Sequence, residues 1–385
     1  MKGAFFILIV IFISISCSTE KFTEGQEIYV TSSSKLRVYY ADTDLSAHYP
    51  FPSVTFLNEK EMLSYNMIRN AIDTLFFDGD SLRIKAGTFL QKDGPRKIEG
   101  ITNIVNTQSG LIVFNLKNIM IDRDGSSEIE NNRLVNAAVF EKDKFYSLAH
   151  GVSFYLDNLY KGYDQQKERL YFFAENFNTE EFKLIAFDLT NRDFVELPMW
   201  ADVELVHANS ARYNNISKNH MPYIFVHEES LVISYSYSNE FVVVNLNTYE
   251  ISEMNHSSKL FPLKKTVQIS IQEDLDLKSR EELKRVLEIL EEWDKDVVFG
   301  NFEKLPNNKG FFRMVKSPQL ETSTTEQLNI EVYDSLFDKV GEINLSKNHP
   351  DLSTTFFTYG DRVFFKAIQQ DQEDYLNYYF VDIDF

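Results

Sequence analysis

The chain is poor in the residues that usually cross-link or bend an exported domain. It contains one cysteine, Cys17, so no disulfide can form within it. Glycine (14) and proline (9) are scarce in 385 residues, which leaves Asn, Asp and Lys to build many of the turns. Hydrophobic residues make up 43% of the chain, so stability must come from burial of a core.

The sequence also lacks the motifs of common enzyme classes. It has no nucleophile elbow G-x-S-x-G, no phosphate-binding G-x-x-x-x-G-K-[ST] and no G-x-G-x-x-G. None of the seven histidines forms an H-E-x-x-H pair or a pair three to five residues apart. We therefore predict no catalytic residue, no metal site and no cofactor. A glycosidase using two of the 58 carboxylates stays open as an alternative, although no pattern selects the pair.

The charge balance is strongly acidic, with a formal net charge of −19. Nucleic acids and anionic membrane surfaces would repel such a body. The sequence therefore predicts no nucleic-acid partner.

The first 17 residues resemble a bacterial lipoprotein signal. Lys2 precedes an apolar run over 3–16 that ends at Cys17, and a polar chain follows. We predict a signal peptide over 1–16, a lipid on the Cys17 thiol and a linker over 17–26. Ser18, rather than an aspartate, follows the cysteine and favours the outer membrane. An ordinary signal or a short membrane anchor is the alternative, although the run falls short of the roughly 20 apolar residues that span a bilayer.

The rest of the chain has the composition of a β protein. It contains 33 Phe and 20 Tyr, residues that favour strands, and short strand-like runs recur throughout. The segments 169–197, 231–253 and 311–344 share one pattern: an apolar strand, a second strand ending in Asp or Asn, and a more polar third strand. Segments starting at 63 and 362 fit it more loosely. Recurrence at a spacing of roughly 40 to 60 residues is typical of propeller blades.

We therefore predict an all-β fold, a single β-propeller over 27–385 with six blades, and seven blades as the alternative. A β-sandwich or two separate β domains would be a different solution to the same pattern. A strand near 27–40 is expected to pair with the strands near 376–383 and close the ring, which would leave no unpaired sheet edge there.

One helix is predicted over 279–293. Ser279 and Glu282 have the spacing of a capping box, and Leu283, Val286, Leu287 and Leu290 recur at helical spacing. The pattern predicts an inserted surface helix that packs one face on a blade. A lid or a partner-docking element is the alternative.

The segment 199–221 does not have the pattern of a blade strand. It contains His207, Arg212, Tyr213 and His220. Loops on a rigid scaffold often carry binding residues. We therefore predict a binding surface at these four residues.

Several stretches resemble a family of lipoproteins of unknown function from Bacteroidota, related to six-bladed β-propeller lipoproteins. The stretches that carry the resemblance are 62–77, 92–101, 110–125, 279–293, 297–302, 311–314, 332–342 and 358–365. The resemblance implies a propeller and a membrane-anchored location. It implies no reaction and no functional residues.

These observations lead to two functional hypotheses. The first is a membrane-tethered, non-catalytic binding or scaffolding module of the bacterial envelope, anchored through its N-terminal lipid, with an unknown protein or glycan as ligand. The alternative is an envelope hydrolase or lyase acting on glycans or peptides, which is an analogy of fold alone.

Overall fold

Apolar runs separated by short polar turns form strands along the whole chain. The computed structural model describes residues 28–39, 54–66, 70–91, 93–94, 97–98, 100–123, 128–140, 146–149, 160–176, 181–213, 216–218, 221–269, 279–305, 308–318, 327–359, 362–370 and 375–385. The predicted signal peptide (1–16) and linker (17–26) lie outside these residues.

Blades 1 to 3 are antiparallel meanders. Blade 2 is a four-stranded sheet, blade 3 is a five-stranded sheet, and blade 1 is one half of an eight-stranded sheet whose other half contains the first strand and the last three strands of the chain. The first strand of blade 3 is in two pieces, β10 and β11, which both pair with β12. Blade 1 contains β2 (Val54–Asn58), β3 (Glu61–Asn66), β4 (Ala71–Asp78) and β5 (Ser81–Phe89); blade 2 contains β6 (Ile101–Thr107), β7 (Gly110–Asn115), β8 (Asn118–Asp122) and β9 (Glu130–Arg133); blade 3 contains β10 (Tyr146–Ala149), β11 (Tyr163–Asp164), β12 (Arg169–Asn176), β13 (Phe182–Asp188) and β14 (Asp193–Leu197).

Blades 4 to 6 continue the pattern, and the fourth strand of blade 6 comes from the start of the chain. In the chain, blade 3 is followed by a separate hairpin of β15 (Ala211–Tyr213) and β16 (Ile216–Lys218), and blade 4 comes after it. Blade 4 contains β17 (Tyr223–His227), β18 (Ser230–Ser234), β19 (Phe241–Asn245) and β20 (Ile251–Met254); blade 5 contains β21 (Val298–Lys304), β22 (Gly310–Ser317), β23 (Gln327–Asp334) and β24 (Lys339–Asn344); blade 6 contains β25 (Leu352–Tyr359), β26 (Arg362–Ala367), β27 (Tyr375–Asp384) and β1 (Tyr29–Tyr39).

Every pair of neighbouring blades shares a cluster of buried apolar side chains, including blade 6 with blade 1. Because each blade is covered on both faces by its neighbours, the six blades form a closed ring. Pairs within these clusters, in ring order from blades 1 and 2, are Leu63 and Ile104, Phe114 and Phe172, Leu184 and Leu231, Phe241 and Phe302, Phe312 and Phe356, and Phe364 and Leu75. The predicted all-β propeller is confirmed, and the described residues form six blades, two of which are joined in the eight-stranded sheet through β1 and β5.

The first and last strands close the ring as predicted. β1 pairs antiparallel with β27, from Tyr29 opposite Asp384 to Tyr39 opposite Tyr375. At its far end β1 also pairs in parallel with β5 of blade 1, through Arg37 and Val38. The first residues of β1 contact the connection between blades 5 and 6. There, His349 Nε2 lies 2.9 Å from the carbonyl oxygen of Val30. A single strand therefore contacts three consecutive parts of the ring.

A repeated turn links the third and fourth strands of the blades. Asp188 Oδ1 accepts hydrogen bonds from the backbone N–H groups of Thr190 and Asn191, both at 2.9 Å. Asn245 and Asp334 make the equivalent pair of bonds in blades 4 and 5. The residues that end the third strands of blades 1 to 6 are Asp78, Asp122, Asp188, Asn245, Asp334 and Asp384. Side chains of Asp and Asn can hydrogen-bond to the backbone of a following turn. Asp384 is the exception, because blade 6 takes its fourth strand from the start of the chain.

The predicted helix is α2 (Arg280–Lys295), in the connection between blades 4 and 5. Its N-cap is Ser279, whose Oγ accepts from the backbone N–H of Glu282, as the capping pattern predicts. Val286, Leu290 and Trp293 are buried in the cluster shared by blades 3 and 4, whereas Leu287 is 50% exposed. The prediction for Leu287 was wrong because residues 286, 290 and 293 define the inward stripe, and position 287 lies outside it.

Two shorter α-helices and one 3₁₀ turn complete the structure. They are α1 (Val203–Ala208), α3 (Leu345–Asn348) and the 3₁₀ turn Leu134–Asn136. In the described part of the chain, no helix combines the length and the apolar character that crossing a membrane requires.

Candidate functional site

Two polar contacts link the first strands of blades 3 to 5. Lys161, just before β11, forms a buried ion pair with Glu303 of blade 5. Asn301 Nδ2 donates to the carbonyl oxygen of Ile224 at 3.1 Å and so joins the first strands of blades 4 and 5. These contacts satisfy polar groups at the inner edges of the sheets. They hold these blades together.

A second charged cluster lies between blades 4 and 5, sealed from solvent. Arg313 and Glu331 are fully buried, and Lys339 Nζ lies 2.9 Å from the other carboxylate oxygen of Glu331. Arg313 also donates to the carbonyl oxygen of Asn239 and to Tyr333 Oη. Since these groups face one another inside the protein, the cluster joins two blades and offers no open site.

An open cavity of about 420 Å³ lies between blade 4 and the connection that leads into it. We call it the Trp200 cavity. Its lining residues are Trp200, Ala201, Asp202, Leu205, Tyr235, Glu240, Phe241, Val242, Glu253, Met254 and Asn255. They come from the segment 199–221, which lacks the pattern of a blade strand, and from the ends of the strands of blade 4.

Local hydrogen bonds fix the connection against blade 4. Asp202 is the N-cap of α1, and its side chain accepts from the backbone N–H of Leu205 at 3.0 Å. The backbone N–H of Asp202 donates to Tyr235 Oη at 2.8 Å. Burial raises the pKa of Tyr235 to about 12, so its phenol stays neutral at physiological pH. This wall of the cavity is therefore held by both the connection and the blade.

The cavity is supported from behind by buried aromatic residues. Trp293 of α2 donates through Nε1 to Asn209 Oδ1 at 3.2 Å and so braces the end of α1. The ring of Tyr237 lies 5.4 Å from that of Tyr235. Tyr237 is 1% exposed, and its hydroxyl has no hydrogen-bond partner among the described residues. Burial raises its pKa well above the ordinary value. The support behind the cavity is thus neutral and largely apolar.

The lining combines aromatic rings with negative charge. Trp200 provides a half-buried ring, the buried rings of Tyr235 and Phe241 form the floor, and Asp202, Glu240 and Glu253 provide three exposed carboxylates. The lining includes no lysine, arginine or histidine among the described residues. Such a surface can bind a flat or apolar group and adds an electrostatic preference for positive charge.

Two larger cavities lack this combination. One, of about 690 Å³, lies between blades 1 and 2, and the other, of about 580 Å³, lies between blades 5 and 6. The described residues that line them include no aromatic ring. Elsewhere in the described ranges, no group of three or more His, Cys, Asp or Glu side chains is placed to hold one metal ion.

None of the predicted binding residues is among the described residues that line the cavity. His207 lies on α1, exposed, with its ring 5.9 Å from that of Phe182. Arg212 and Tyr213 lie on β15, and His220 falls outside the described residues. Their role in binding stays a prediction.

The segment 199–221 contributes Trp200, Ala201, Asp202 and Leu205 to the cavity, none of which was predicted from the sequence as a binding residue. Trp200 was the available signal, because it is one of only two tryptophans and lies in that segment. Tyr235, Glu240 and Glu253 belong to blade 4 and gave no local signal.

Comparison with solved structures finds the same fold in two proteins from Bacteroides. A member of the DUF4221 family from Bacteroides vulgatus superposes with a TM-score of 0.68 at 13% identity, covering 93% of this chain and 99% of that chain. A protein from Bacteroides fragilis described as exported gives a TM-score of 0.53 at 11% identity, covering 92% and 96%. No family model matches the sequence, and no curated protein matches it. At these identities the similarity establishes a shared propeller-like fold.

Proposed function

We propose that the protein is a membrane-tethered, non-catalytic binding or scaffolding module of the bacterial envelope, and that the Trp200 cavity holds its ligand. The observation that carries this proposal is an open, aromatic-lined cavity fixed between a short helix and a rigid blade. A cavity of about 300 to 1,000 Å³ with apolar walls and a few polar groups is typical of ligand sites.

The proposed location is the outer membrane, with the lipid on Cys17 as the anchor and residues 17–26 as the linker. Two observations support an envelope address: the lipoprotein-like start of the chain and the shared fold with a Bacteroides protein described as exported. The resemblance to Bacteroidota propeller lipoproteins points the same way.

Metabolic labelling with palmitate tests the anchor. We expect the natural chain and a Ser18→Ala variant to carry the label in the membrane fraction. Cys17→Ala should lose both the label and the membrane association. A Cys17→Ala protein that keeps its label would refute lipidation at this residue.

Capture of ligands from intact envelopes tests the binding site. The protein would be cross-linked in place, isolated with its partners, and screened separately against a glycan array. We expect Trp200→Ala to lose the ligand, because it removes the largest ring of the cavity. Leu287→Ala is the matched control, since it removes an exposed apolar side chain on the outer side of α2.

Two outcomes would contradict the proposal. Equal capture by both variants would place the ligand elsewhere on the ring. Cleavage of a captured glycan or peptide by the purified protein would favour the hydrolase or lyase alternative.

A further inference from the structure

The chemistry of the Trp200 cavity selects for positive charge. We propose that its ligand is a lysine or arginine side chain presented by a protein or peptide partner. This inference rests on the proposed function and names the ligand class of the same site.

The carboxylates of the cavity favour a cationic ligand. Asp202, Glu240 and Glu253 line one cavity of about 420 Å³, and no basic side chain lines it with them. Each of these carboxylates attracts a cation that enters the cavity, and none attracts a neutral sugar in this way. The net charge of −19 adds a long-range field that attracts a basic partner.

The aromatic lining of the cavity independently favours a cation. Cations bind favourably over the faces of Trp and Tyr rings, and most strongly over Trp. Trp200 is half-buried, packs 5.7 Å from the ring of Tyr249, and supplies the ring surface that a cation could reach, because Tyr235 and Phe241 beneath it are buried. The protein already uses this chemistry on Phe241, whose ring centroid lies 5.7 Å from the guanidinium carbon of Arg313.

The size of the cavity limits which part of a partner can enter it. A volume of about 420 Å³ accepts a side chain or a short peptide segment and excludes a folded domain. A partner protein would therefore insert one basic residue while the rest of its surface remains outside.

Fluorescence titration of the protein, purified from membranes in a non-ionic detergent, tests the inference. The chain has two tryptophans, and Trp293 is 3% exposed in the core, so changes on binding report on Trp200. The probes are the peptide acetyl-Gly-Arg-Gly-amide and its citrulline counterpart, which has nearly the same shape and no charge. We expect a saturable response to the arginine peptide and at least about tenfold weaker binding of the citrulline peptide.

A pair of double variants separates a local effect from the overall charge. Glu240→Gln with Glu253→Gln removes two cavity charges and leaves the α1 cap at Asp202 intact. Glu288→Gln with Glu292→Gln removes two charges from the exposed side of α2. We expect the cavity variant to lower the affinity for the arginine peptide about tenfold, and the helix variant to change it less than about twofold.

Equal binding of the two peptides, equal losses in the two double variants, or no saturable response would overturn the inference. A glycan whose binding depends on Trp200 would also overturn the cationic ligand while leaving the proposed binding function intact. If neither a peptide nor a glycan depends on Trp200, the proposed function itself fails.

Discussion

Arg313 Nη2 lies 2.6 Å from Glu331 Oε2, and neither side chain is exposed to solvent. The two residues face each other across β22 and β23 of blade 5, and Arg313 reaches the carbonyl oxygen of Asn239 in blade 4. Burial alone would raise the pKa of Glu331, but Arg313 and Lys339 outweigh it and hold the pKa below its ordinary value. The pair is therefore charged, and it joins two blades.

Breaking this buried ion pair should lower the free energy of unfolding far more than breaking an exposed ion pair. Arg313→Met leaves Glu331 buried with one cation fewer, so we expect the free energy of unfolding to fall by about 3 to 5 kcal/mol. Lys295→Met is the control, because it breaks an exposed pair with Glu291 and should cost less than about 0.5 kcal/mol. Denaturant unfolding followed by circular dichroism measures both. Similar midpoints for the two variants would show that the buried network contributes little.

The repeated turn after the third strand predicts which substitutions are tolerated. Asp188→Ala removes the acceptor for two backbone N–H groups and should destabilise the protein by about 1 kcal/mol. Asp188→Asn keeps the acceptor oxygen and matches Asn245 at the equivalent position of blade 4, so most of the stability should remain. Thermal unfolding of the two variants compares them directly. If Asn is as damaging as Ala, the contact with Arg169 rather than the turn explains the role of Asp188.

His256 should make the protein less stable in mild acid. Its ring packs 5.6 Å from that of Tyr333 and its Nε2 lies 3.1 Å from the carbonyl oxygen of Phe337. Burial lowers its pKa, so the folded state favours the neutral ring. Its contribution to stability is complete above the ordinary pKa of about 6.5 and is lost as the pH falls through the lower folded pKa.

The test compares two histidines. Between pH 7 and pH 5 the unfolded state binds more protons at this site than the folded state does, so His256→Gln should lose less stability over this range than the natural chain. His207→Gln, on the exposed side of α1, should follow the natural chain. Denaturant midpoints across the pH range give the slopes. Parallel slopes for all three proteins would exclude His256 as the source.

Ring closure predicts that the last strand is essential. Deleting residues 376–385 removes nearly all of β27, which pairs with both β26 and β1. Blade 6 would lose its third strand and with it the strand pairing between β27 and β1. We therefore expect no folded protein by circular dichroism or gel filtration. Deleting residues 1–26 is the control and should leave the ring folded. A soluble, cooperative product from the shorter chain would disprove this dependence.

The fold was largely predictable because the pattern of a blade is local. The segments 169–197, 231–253 and 311–344 are three consecutive strands of blades 3, 4 and 5, as their apolar runs indicated. The Asp or Asn that ends the third strand was recognised in these segments only, although Asp78, Asp122 and Asp384 extend it to all six blades.

The candidate site was less predictable because its walls come from distant parts of the chain. Trp200 and Asp202 belong to the irregular segment, while Glu240 and Glu253 are brought to them by the packing of blade 4. No spacing rule relates these residues in sequence. The histidines of the segment attracted attention for their chemistry, yet His207 lies outside the lining of the cavity.

The position of β1 determines how the protein would respond to a pull from its N-terminus. A pull on Tyr29 directed along β1 would load the strand in shear, so the backbone bonds to β27 would share the load instead of opening one after another. The parallel contact with β5 and the contact of His349 with Val30 would spread that load to neighbouring blades. The chain thus enters the ring through a strand suited to withstand tension.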